Sequence, residues 1–118
     1  MFKKIDNVSL QEYESLAKGN KGFIKILLEK VIRKLDEFEP LILEDVEEHK
    51  LQELREHTHH IKPMLASLRL SKVLNLFEDI KNDYQNEAFD QELKQQRLSF
   101  IKESFTHAKT ELRNILDG

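Results

Sequence analysis

Three of the chain's five histidines, His57, His59 and His60, fall within a single helical turn. Imidazole is the side chain that can take up a phosphoryl group, move a proton or ligate a metal near neutral pH. Leu51, Leu54, Thr58, Ile61, Leu65 and Leu68 recur at alternating spacings of three and four around these histidines, which is the inward seam of an amphipathic helix. At about 100° per residue, His59 and His60 each lie roughly 130° from the seam centre, on opposite sides, and both should meet solvent. His57 lies only about 70° away and is expected at the bundle margin. His59 shares its strip with Arg55, Lys62, Pro63 and Ala66, whereas His60 sees Glu56 and Met64. A histidine that receives a phosphoryl group needs an open in-line approach and nearby cations to offset the phosphoryl oxygens. His59 meets both needs better than its neighbour.

Two other readings of the same residues stay open. The three histidines could be no more than the polar surface of a helix. His57 and His60, at i,i+3 with Glu53 or Met64 nearby, could hold part of a metal site, although neither HExxH nor a paired Glu-x-x-His pattern is present. No metal is therefore expected. An enzyme would need a convergent acid, base or nucleophile set, and spacing identifies none; there is no P-loop or Gly-rich nucleotide motif either.

The elements that must position His59 are helical. The 118 residues suit one domain spanning 1–118. With 35% charged residues, three Gly and two Pro, the composition favours long amphipathic helices over a turn-rich β fold. A short helix is predicted over Asn7 to Ala17, with Ser9 as N-cap, Glu12 completing a capping box, and Leu10, Tyr13, Leu16 and Ala17 apolar. From Phe23 the positions Leu27, Leu28, Val31, Leu35, Phe38, Ile42 and Val46 keep helical register through Pro40, which favours one kinked helix over two. A third helix starts near Leu51. A fourth follows a turn at Arg69, capped by Ser71, with Leu70, Val73, Leu74, Phe77 and Ile80 as its stripe and fraying near Asn82. A fifth starts near Asp90 and carries Leu98, Ile101, Phe105, Ala108, Leu112 and Ile115 almost to Gly118. Four long helices with short links predict an all-α fold, an antiparallel four-helix bundle with a short additional N-terminal helix. The acidic run Glu44, Asp45, Glu47 and Glu48 reads as a solvated helix end.

The net charge of −3 and the lack of a basic block interleaved with aromatics suggest neither nucleic acid nor an anionic membrane as partner. No cysteine is present, so disulfides and thiolate metal sites are excluded, in keeping with a cytoplasmic location. No secretion signal is evident at the start of the chain, and no apolar run approaches the roughly 20 residues of a membrane span.

Around the histidines the sequence resembles the histidine-containing phosphotransfer (HPt) family of two-component phosphorelays. His59-His60-Ile61-Lys62 matches that family's His, any residue, apolar, Lys; Leu68 falls on its Leu; Val73, Leu76, Phe77 and Ile80 fall on the apolar places of the next helix; and Leu51 holds the position eight before the histidine. Pro63 and Arg69 stand where Gly is usual. Pro63 has a compact side chain but should kink the helix against the carbonyl of residue 59, and Arg69 could shift the turn or add a cation. The apolar stripes can bury one another within one chain, so a monomer is expected, and the resemblance implies a phosphocarrier, not an enzyme. His59 would accept a phosphoryl group from a receiver-domain aspartate and pass it to another receiver. Lys62, Arg55, Pro63, Ala66 and Arg69 would stabilise the group or bind the partner. It implies receiver domains of response regulators or hybrid sensor histidine kinases as partners, and no cofactor of the chain's own, the Mg²⁺ sitting in the receiver. The alternative is a noncatalytic helical interaction module.

Overall fold

The computed structural model describes residues 5–87 and 90–118. Among these the chain is all-helical: α1 (Gln11–Ala17), α2 (Lys21–Glu47), α3 (Leu51–Ser67), α4 (Ser71–Gln85) and α5 (Gln91–Asp117). α2 packs on α1, α3 and α5, and α4 packs on α3 and α5. Buried apolar residues of α2 to α5 form one cluster in which Leu28, Leu35, Ile42, Leu54, Leu65, Ile80, Ile101 and Leu112 are wholly buried. These are the positions that the helical stripes place inward. Some stripe residues are not there: Leu10, Tyr13, Leu27, Leu51 and Leu74 are only half-buried, Leu16 is 64% exposed and Ile115 is 43% exposed.

The ends of the helices show what local chemistry decides. Asn20 accepts from the Phe23 N–H at 3.0 Å, so α2 begins at Lys21, ahead of the apolar run. Asp90 likewise caps α5 through the Leu93 N–H at 2.7 Å. Helix α2 is one helix through Pro40, and α3 likewise continues through Pro63, whose missing N–H leaves the His59 carbonyl without its i+4 donor. α4 runs on to Gln85, past the expected fraying at Asn82.

Two expected caps are corrected. α1 is shorter than predicted, with Leu10 at its N-cap, and Ser9 Oγ accepts only the Gln11 N–H at 3.4 Å, so no capping box forms. The Ser9 N–H instead donates to the Leu68 carbonyl at 2.9 Å, which fixes the chain before the box can close. Ser71 lies inside α4, and the Lys72 N–H at the start of that helix is satisfied by Asp6 at 2.9 Å. A carboxylate from 66 residues away thus does the work assigned to the local serine.

Arg69 occupies the left-handed region at φ 61°. The Arg69 N–H donates to Ala66 and the Leu70 N–H to Leu65, closing α3 with crossed bonds of the type that usually places Gly there. An L side chain at such a φ costs roughly 1–2 kcal/mol, and Gly gives back part of the gain through its freer unfolded chain. Arg69→Gly should therefore stabilise the protein by about 0.5–1 kcal/mol, read as a higher denaturant midpoint at unchanged slope.

Tyr84 near the end of α4 donates its hydroxyl to the Val46 carbonyl at the end of α2. Burial, with Glu47 adding to it, pushes the Tyr84 phenol up to about 12 from 10.0. The unfolded tyrosine then ionises first. The stability contributed by this group is complete below pH 10 and is lost as pH rises through about 12. Tyr84→Phe should flatten part of the alkaline unfolding slope between those values, as followed by circular dichroism during titration.

Candidate functional site

His59 is exposed on α3 and lines a groove of about 310 Å³ between α3 and α4. Thr58, His59 and Lys62 form the α3 wall; Ser71, Asn75, Phe77, Glu78 and Lys81 belong to the α4 side. The floor is buried and closed. Phe77 is 1% exposed, and the Thr58 hydroxyl is satisfied by the Leu54 carbonyl at 2.7 Å. This lets α3 hold its outer face rigid while the imidazole of His59 stays open to a partner. Lys81 Nζ lies 3.0 Å from Glu78 Oε1 and keeps only 17% of its side chain exposed, so a second ammonium is fixed in the same groove as His59 and Lys62.

Of the residues singled out from sequence, the groove therefore brings together His59 and Lys62. Arg55 is directed elsewhere, with Nη2 3.4 Å from Gln85 Oε1 at the end of α4. Pro63 and Ala66 are exposed on α3, and Arg69 is exposed in the turn; none of the three lines the groove. Lys81, Asn75 and Glu78 were not anticipated. The signal for them is present in the spacing: Ser71, Asn75, Glu78 and Lys81 recur at helical intervals on the flank of the Val73, Phe77, Ile80 stripe.

The other two histidines have structural partners. His57 Nδ1 lies 2.5 Å from Asp45 Oδ2, and Asp45 is 2% exposed. This corrects the reading of Asp45 as part of a solvated acidic end, because α3 folds back over the last turns of α2 and covers that one carboxylate. Burial raises the Asp45 carboxyl above its usual range, against the lowering pull of the His57 hydrogen bond. His60 stacks on Phe38 with ring centroids 4.7 Å apart, and His57 meets the same ring edge-on at 6.1 Å.

No family model, curated protein or solved structure matches the chain. Among the described residues, no group of three or more His, Asp or Glu is placed to hold a metal ion. No helix among them is long and apolar enough to cross a membrane.

Proposed function

We propose that the chain is an HPt-type phosphocarrier: His59 accepts a phosphoryl group from a receiver-domain aspartate and returns it to another receiver. The observation that carries this reading is the exposed imidazole of His59 at a groove that also contains Lys62 and Lys81. An imidazole nitrogen gives its lone pair to phosphorus, the new N–P bond replaces the P–O bond to the aspartate, and the carboxylate leaves. Charge on the phosphoryl oxygens grows toward the chain as this happens, and the Lys62 ammonium in the same groove opposes that charge, with Lys81 held in the groove by its ion pair with Glu78. The Mg²⁺ required for the step belongs to the receiver. The supporting architecture is an antiparallel four-helix bundle of α2 to α5 with α1 as an added N-terminal helix, a reading supported by the closed circuit of contacts α2 to α3 to α4 to α5 to α2.

Profiling against a panel of receiver domains charged with acetyl phosphate tests the proposal. Acid-labile, base-stable phosphate should appear on the chain; a noncatalytic interaction module would bind receivers without gaining it. Lys62→Ala should melt close to wild type, since an exposed lysine usually changes stability by within about 0.5 kcal/mol. Its single-turnover transfer should slow by on the order of tenfold, the equivalent of about 1.4 kcal/mol in the barrier. Unchanged transfer would remove Lys62 from the site, and strong destabilisation would reassign it to the fold.

A further inference from the structure

Charge is not spread evenly over this acidic chain. Across the end of α1 and the first ten residues of α2 stand four cations, Lys18, Lys21, Lys25 and Lys30, against Glu29, with Glu12 and Glu14 in the first turn of α1, although the net charge of the chain is −3. The same stretch contains three of the five exposed large apolar side chains among the described residues: Leu16 at 64%, Ile26 at 61% and Phe23 at 39%. It also lies at one end of a molecule 48 Å long. Arg113 of α5 pairs with Asp36, and His60 of α3 stacks on Phe38. At that register α5 and α3 both run out near Val31 and Ile32, so about ten residues at the start of α2, roughly 15 Å of helix, project beyond them with α1 as their neighbour. The first turn of α2 has no acidic residue to offset its helix dipole and carries Lys21 instead.

We propose that this tip, formed by the end of α1 and the start of α2, docks on an anionic lipid surface. Apolar side chains that stand out singly with lysines between them match an interfacial lipid-binding segment, in which Phe, Leu or Ile enter the acyl boundary and Lys or Arg meet the headgroups. A protein interface instead concentrates apolar residues at its centre and is depleted of lysine there. A second copy would bring like charges together. The whole-chain charge suggested no such surface, because the acids that offset these cations lie elsewhere along the chain. His59 sits near the level of Phe38, about 18 Å along α2 from Ile26, so a docked tip leaves the phosphoryl groove open.

The test is co-sedimentation of the full chain with vesicles of phosphatidylcholine alone and of phosphatidylcholine containing phosphatidylserine. Binding is expected only to the anionic vesicles and should fall with salt. Lys21→Ser and Lys25→Ser should each weaken it about fivefold. Ile26→Ser should weaken it while circular dichroism and phosphotransfer stay at wild-type values, since Ile26 is exposed and remote from His59. No sedimentation with anionic vesicles, or binding indifferent to these changes, overturns the proposal. So does retention on poly-glutamate without vesicle binding, which would assign the tip to an acidic protein. None of these outcomes depends on whether His59 carries phosphate.

Discussion

His59→Gln should abolish phosphate acceptance from every charged receiver, whereas His60→Gln should leave it near wild type. Gln keeps the polarity and approximate reach of the side chain but has no lone pair on nitrogen able to attack phosphorus. Because His59 is exposed and contributes nothing to the core, the variant should melt like wild type, separating loss of chemistry from loss of fold. His60 lies on the other flank of α3, with its ring against Phe38 and no place in the groove. Labelling lost with His60→Gln and kept with His59→Gln would place the acceptor on the wrong side of the helix.

The largest stability effect is expected at the pair that closes α2 onto α3. His57→Ala removes the hydrogen-bond partner of the Asp45 carboxylate, which is 2% exposed in the intact protein, and should cost about 2–3 kcal/mol. Asp45→Asn should cost less, because a neutral amide can still meet the ring nitrogen and the His57 side chain, 27% exposed, can reach water. Denaturant unfolding of both variants and of the double variant measures the difference. With His57 gone, Asp45 loses the contact that lowers its carboxyl and burial raises it further, so the destabilisation of His57→Ala should shrink as pH falls. Equal costs for the two single changes, with no pH dependence, would show that the pair is not buried as described.

The helices were legible in the sequence because their stripes are long and regular. Leu54, Thr58, Ile61, Leu65 and Leu68 are all buried at 2% or less, as their spacing requires. The exposed side of α3 followed from the same wheel, and so did the side on which His59 stands. What could not be read were features made by distant segments. Asp6 caps α4 across 66 residues, and the Leu68 carbonyl takes the Ser9 N–H that a local capping box needed free. Asp45 looked like one of four solvated acids because nothing in its own neighbourhood marks the point where His57 covers it. Lys81 reaches the groove only through the packing of α4 on α3, and Arg55, next to His59 on the wheel, is drawn away by Gln85. Ile115 and Leu16 keep apolar periodicity, yet among the described residues no helix buries them.

Carriage of a phosphoryl group on His59 between two receivers can be followed step by step. The most direct measurement starts from one receiver charged with labelled phosphate, adds the chain, and then adds a second, uncharged receiver while all three proteins are followed in time. Label should appear first on the chain in acid-labile, base-stable form and then move to the second receiver, with neither step seen for His59→Gln. Label that never enters the chain, or that passes equally well through His59→Gln, would contradict it.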